Sequence, residues 1–86
     1  YAVPSGGETI IEVNVPTGVV NLPAISSVNK GQVYIIRNVD NSIARVNTFG
    51  ADKIHPIGVA PSTFYNIPVY DVIRLYSNGT DTWVAF

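Results

Sequence analysis

The stretch Val33-Tyr34-Ile35-Ile36 constrains this chain most. It holds four consecutive β-branched or aromatic residues, introduced by Lys30-Gly31-Gln32 and ended by Arg37-Asn38, a composition that suits a strand. Successive side chains of a strand point to opposite faces. Val33 and Ile35 therefore line one face, and Tyr34 and Ile36 the other. A strand with one wet face alternates apolar with polar residues, but this one is apolar on both. The expectation is a strand covered on both sides, with all four residues in a core or an interface between subunits.

The flanking sequence reads as further short strands. In Glu8 to Val15, Ile11, Val13 and Val15 share a face against Glu12 and Asn14, the period-2 pattern of a half-buried strand. Pro16-Thr17-Gly18 makes a turn. Val19 to Val28 contains Pro23, which donates nothing to a ladder and restricts the segment to an edge or an irregular crossing. After Val33 to Asn38 come the turn residues Asp40-Asn41-Ser42, then a strand from Ile43 to Phe49; the expectation is a hairpin joining the two. A turn at Gly50 to Ile54 leads to an irregular stretch with Pro56, Gly58 and Pro61, and Ser62 to Ile67 is a short strand stopped by Pro68. Val69 to Ser77 places Ile73 and Leu75 on one face. Asn78-Gly79 tolerates the positive φ angles of a tight hairpin and joins this strand to Thr82–Phe86, which contains Trp83. No window has helical periodicity with start and stop signals, and no clear internal repeat stands out. Many short strands between turn signals indicate an all-β chain, expected as a small antiparallel β-sandwich or jelly-roll-like barrel. Residues 1–7 read as a linker or lead-in, and residues 8–86 as one β domain.

Composition bears on assembly. A chain of 86 residues buries only about 60–65% of the surface its unfolded form exposes and needs reinforcement. It has no Cys and one His, which removes disulfides and disfavours a structural metal. Charged residues are 13% of the chain against a usual ~25%, so ionic groups are sparse for a free surface. Oligomerisation remains, with Ile73, Leu75 and Trp83 joining Val33 to Ile36 as core or subunit-interface residues. The five basic residues are scattered and the net charge is −1, unlike the concentrated basic face of a nucleic-acid binder. No apolar run reaches the ~18 residues of a membrane-spanning helix. The chain opens at Tyr1 without any Met and reads as part of a longer protein, while the apolar Trp83-Val84-Ala85-Phe86 suits a C-terminus ending in a packed strand.

No residue pattern announces catalysis. His55 is the sole imidazole and has no recognisable nucleophile or acid motif beside it. Asp40, Asp52 and Asp81 fall in turns, where Asp bonds its own backbone, and Asp71 begins a strand. A glycosidase carboxylate pair is therefore not expected. Arg37, Arg45 and Arg74 lie in strands, where an Arg stem can cover apolar surface. Asn78-Gly79-Thr80 matches a glycosylation acceptor but is read as a hairpin turn. Tyr65 sits next to the irregular stretch and is the least constrained aromatic. The chain is expected to be non-enzymatic, without metal or cofactor.

Val20-Asn21-Leu22-Pro23-Ala24 and then Asn29 to Asn38, followed by Gly50-Ala51-Asp52-Lys53-Ile54, Leu75-Tyr76-Ser77-Asn78-Gly79 and Trp83, resemble a β-module of virus and bacteriophage fibre, tail-spike and capsid-spike proteins. The resemblance spans roughly residues 19–86 and consists of structural positions, so it carries over no ligand residues. It implies a homotrimeric C-terminal head or shaft module at the virion surface, or otherwise an extracellular one. The implied role is assembly and host-surface attachment, often to glycan. The chain departs from the pattern at His55-Pro56-Ile57, where the family has a shorter turn. Asp52, Lys53, His55 and Tyr65, on and beside this loop, are therefore the candidate ligand contacts. The alternatives are a monomeric carbohydrate-binding accessory domain of a larger enzyme and a purely structural trimerisation module.

Overall fold

The computed structural model describes residues 8–86, and the expected lead-in at residues 1–7 lies outside them. The described chain is all-β. Eight strands occur: β1 Glu8–Val13, β2 Val19–Asn21, β3 Val33–Asn38, β4 Ala44–Asn47, β5 Lys53–His55, β6 Phe64–Ile67, β7 Val72–Ser77 and β8 Thr82–Ala85, with one 3-10 turn at Ile25–Ser27. They form a five-stranded sheet, β1-β3-β7-β8-β5, and a three-stranded sheet, β2-β4-β6.

The first half of the chain winds as a coil. It passes from β1 in the large sheet to β2 in the small one, then returns. β3 lies parallel to β1, with Glu8 opposite Val33 and Val13 opposite Asn38, and β4 lies parallel to β2, with Val19 opposite Arg45. The offsets are 25 residues in one sheet and 26 in the other, so two turns of chain stack in a solenoid-like way. The stacked turns share residues: Ile10-Ile11 lies on Ile35-Ile36 and Val20-Asn21 on Val46-Asn47, and the Asn47 side-chain amide donates to Asn21 Oδ1 at 3.3 Å. This echo escapes a search for internal repeats because only four residue identities carry it.

The second half reverses direction. β6 runs antiparallel to β4, β7 antiparallel to β3, and β8 antiparallel to β7, whereas β5 is parallel to β8. The sheets are therefore mixed, which corrects the antiparallel expectation. The β7–β8 hairpin forms at Asn78-Gly79, with Gly79 at φ 80°, and a Cβ there would press on Lys30 at 3.0 Å. Asn78 Oδ1 accepts from the backbone N–H groups of Thr80, Asp81 and Thr82, so its side chain builds the turn.

The expected hairpin between the third and fourth strands does not form. β3 pairs with β1 and β7, while β4 lies in the other sheet. Residues 39–43 turn a corner between the sheets. Val39 N–H donates to Val13 O at 3.0 Å, and Asp40 Oδ2 accepts from Ser42 N–H and Oγ. Buried Asn38 fixes the corner from inside, its amide nitrogen donating to Ser42 O at 2.7 Å and to Pro68 O at 3.2 Å. Turn residues announce a change of direction, but they do not tell reversal within a sheet from transfer to the opposite one.

Inward side chains of both sheets make one apolar cluster, including Leu22, Ile25, Tyr34, Ile36, Val46, Ile54, Ile67, Ile73, Leu75 and Trp83. Tyr34 and Trp83 meet edge-on, with ring centroids 5.0 Å apart. β3 is paired along both edges, and only one of its faces is enclosed. Tyr34 and Ile36 are buried, but Val33 and Ile35 are half-buried on the outer face, so within the chain the expectation of cover on both sides fails. Ile36, at 0% exposure, packs at the centre of the cluster. An Ile36→Ala variant is expected to lose about 2–5 kcal/mol, the cost of a large-to-small change in a packed core. Urea unfolding measures this, and a loss below ~1 kcal/mol would show that β3 does not anchor the fold.

Candidate functional site

The four candidate ligand residues do not converge. Lys53 and His55 are exposed on the outer face of β5. Asp52, immediately before, turns its carboxylate away and accepts from Ile25 N–H at 2.9 Å, tying the 3-10 turn to the start of β5. Tyr65 lies on β6 in the other sheet and is half-buried. It lines a cleft of about 270 Å³ together with Pro56, Ile57, Val59, Arg74 and Phe86. The irregular loop thus helps to form a cleft of mixed polarity, but only Tyr65 of the four candidates lines it. A larger cleft, about 630 Å³, opens between the free edges of β1 and β2, lined by Ile11, Glu12, Val20, Leu22 and Tyr34 among others.

Several of the polar side chains are engaged in building the fold. Asp40 caps the corner turn, the Asp71 carboxylate accepts from Val72 N–H at 2.8 Å, and Asp81 accepts from Thr82 Oγ1 at 2.9 Å. Arg45 stacks its guanidinium 4.1 Å from the centroid of the Phe64 ring and donates to Asn47 Oδ1. Arg74 lies over the Phe86 ring at 5.5 Å and donates to Phe86 O at 3.2 Å. Among the described residues, no group of three or more His, Asp or Glu is placed to hold a metal ion.

Arg74 and Phe86 belong to a broader surface, the outer face of the five-stranded sheet. Register sets its side chains in rows. Glu8, Val33, Tyr76, Val84 and His55 make one row across the five strands. Ile10, Ile35 and Arg74 make the next, and Glu12, Arg37 and Val72 the third. Phe86 adjoins the second row, its ring 5.9 Å from that of Tyr76. Ile10 is 64% exposed, Val72 46%, Phe86 47% and Tyr76 38%, and Val33, Ile35 and Val84 are half-buried between them. The face is thus largely apolar, with charged residues on β1 and β5, with Arg37 opposite Glu12 and with Arg74 on the central strand β7. Sequence reading reached Val33 and Ile35 through the two-sided apolar pattern of β3. It read Tyr76 and Phe86 only as core or interface anchors in general and missed Ile10 and Val84, because the outward parity of each strand follows from a pairing that local sequence does not reveal.

Comparison with protein-family models, curated proteins and solved structures finds no match to this chain.

Two variants separate structural from binding roles. Asp52→Ala removes the acceptor of Ile25 N–H and is expected to lower unfolding free energy by about 1–3 kcal/mol, as when a buried donor is left unpaired; unchanged stability would free Asp52 for a ligand. The hydroxyl of Tyr34, like Trp83 Nε1, is buried without a hydrogen-bond partner among the described residues, and burial raises the Tyr34 pKa above its ordinary value. The unfolded chain therefore ionises this phenol first. Stability holds below about pH 10 and falls as pH climbs from there to the folded value. Tyr34→Phe is expected to be no less stable at neutral pH and to lose part of that alkaline decline. A clear loss of stability at neutral pH would mean that the hydroxyl is paired.

Proposed function

We propose that this chain is a non-enzymatic, self-associating β-module of the fibre or spike type, a homotrimer used for assembly and for attachment to a host surface through glycan. The observation that carries this reading is the apolar outer face of the five-stranded sheet. Monomeric soluble proteins rarely leave large contiguous apolar patches in water, whereas an apolar centre inside a polar rim is the anatomy of a protein interface. The low charge and lack of covalent reinforcement fit the same reading, because association completes the cover that so short a chain leaves unfinished. As a module, the fold is a small sandwich of two mixed sheets, and its site of action is the virion surface. Three equivalent weak sites on one rigid head gain avidity, since each contact after the first is effectively intramolecular. The cleft beside Tyr65 and the loop after His55 are where a glycan would make contact.

A second reading has its own observation. Phe49 and Tyr70 are 62% and 67% exposed, and the Tyr76–Phe86 ring pair lies on open surface, as on a sugar-stacking platform. This favours a monomeric carbohydrate-binding accessory domain. Light scattering over a dilution series separates the two. The expected result is a mass three times that of the chain which persists on dilution, and which Ile35→Glu reduces to a folded monomer. A compact wild-type monomer that binds soluble polysaccharide would replace the first reading with the second, and a trimer deaf to glycans at millimolar concentration would leave only the structural role.

A further inference from the structure

Two of the described residues other than glycine have positive φ, Thr17 at 52° and Tyr70 at 58°, and both lie at one end of the sandwich. β1 and β3 are parallel and β7 is antiparallel to them, so the connections 14–18, 39–43 and 68–71 leave or enter the large sheet at the same end. They are bonded to one another. Thr17 N–H donates to Ser42 Oγ at 2.8 Å, Asn38 N–H donates to Asp71 O at 2.9 Å, and the buried Asn38 amide holds Ser42 O and Pro68 O. At the opposite end the same backbone requirement falls on Gly31, Gly50 and Gly79, the residue for which it costs least. A bulky or β-branched residue in that conformation is an outlier, and such strain persists where the surroundings over-determine it and where a site needs it.

Tyr70 is the side chain this arrangement presents. Pro68 to Asp71 is a turn closed by Asp71 N–H on Pro68 O at 3.1 Å. Tyr70 is its third residue, where a positive φ is ordinarily supplied by glycine or asparagine. Asn38 holds the carbonyl groups of Ile67, Pro68 and Asp71, so the turn is fixed on both sides of Tyr70. The ring itself is 67% exposed and lies outside the core cluster. The fold needs the turn but not the ring.

We infer that Tyr70 is a stacking residue for a neutral saccharide. This rests on the glycan-attachment reading above and adds the ring that takes the sugar and the class of sugar. The C–H face of a pyranose lies against the negative face of an aromatic ring, and its hydroxyls match the exposed amides of Asn14 and Asn41 at this end, which donate and accept. Residues 14–18, 39–43 and 68–71 contain Asp40 and Asp71 but no Lys or Arg. Of the strand cations nearest them, Arg45 is stacked on Phe64, Arg74 lies over Phe86 and Arg37 stands opposite Glu12. An anionic lipid surface calls for a basic cluster, and a carboxylated or sulfated sugar would meet two carboxylates. A neutral sugar meets neither obstacle.

Amide NMR of the wild-type chain, titrated with maltohexaose, laminarihexaose, xylohexaose and an oligogalacturonate of the same length, tests the inference. A neutral member is expected to shift the amides of residues 69–71 and 41–43 at millimolar concentration, and the oligogalacturonate to shift them less. Tyr70→Asn is expected to raise the dissociation constant about tenfold or more, with the urea midpoint unchanged or higher, because Asn accepts a positive φ more readily than a bulky ring. Tyr70→Phe keeps the ring and is expected to keep the affinity. A residue retained for structure alone would behave in reverse, so a Tyr70→Asn variant with a lower midpoint and unchanged affinity overturns the inference. Shifts confined to Tyr65 and residues 56–59 overturn it too, and leave the glycan-attachment reading standing. Tighter binding of the oligogalacturonate overturns the neutral class. No shift with any of the four sugars overturns the inference and the attachment reading together, while the trimer, read by light scattering, stands or falls separately.

Discussion

Parallel strands cannot be joined by a tight turn; the chain must travel and come back. That constraint organises this protein. Between β1 and its parallel neighbour β3 lie residues 14–32, and they hold β2 and the 3-10 turn. The obligatory return path thus becomes the first strand of the opposite sheet, and the next return adds β4 to it. Two sheets arise from one winding motion without a long structureless loop. Where the winding is tightest, the backbone makes room: a Cβ at Gly18, between β1 and β2, would collide with Val13.

Winding also decides which residues are enclosed. Once β2 and β4 cover one face of the large sheet, inward parity is set for every strand that joins it. Tyr34 and Ile36 go in with Ile73, Leu75 and Trp83. Val33, Ile35, Val72 and Tyr76 go out. Among the described residues no further element lies over the second face, since every strand belongs to one of the two sheets. The enclosed core is one-sided by geometry, and the apolar residues of the outer face are a remainder that the fold alone does not require.

Much of this was legible in the sequence, element by element. Strand positions follow from β-branched and aromatic runs between turn residues, and Asn78-Gly79 specifies its hairpin because both the φ requirement and the capping amide are local. What was not legible is pairing. Asp40-Asn41-Ser42 looks like a hairpin loop, and only buried Asn38, reaching Ser42 and Pro68 at once, converts it into a corner between sheets. Parallel stacking at offsets of 25 and 26 residues leaves only Ile-Ile and Val-Asn as common residues, too little to register as a repeat. The candidate site was read least well for the same reason. Asp52, Lys53, His55 and Tyr65 are close in the sequence, but they are divided among an inward tether, an outer sheet face and a strand of the other sheet.

The outer face then acquires a thermodynamic meaning. Small domains hold only a few kcal/mol of stability, and a state that binds a partner gains more by mass action as the partner's concentration rises. If the partner is the chain itself, folding and assembly reinforce each other, and no disulfide or metal is needed for a short sequence to persist. The residues such an interface would use are those the core cannot, Ile10, Ile35 and Val72 among them, on strands already held in place by the buried face. Their position is determined by Tyr34, Ile36, Ile73 and Leu75 on the reverse of the same strands. The core therefore sets the register of the outer face as well as the stability of the monomer. A substitution that shifted β3 by one residue against β7 would exchange the two faces and destroy both at once.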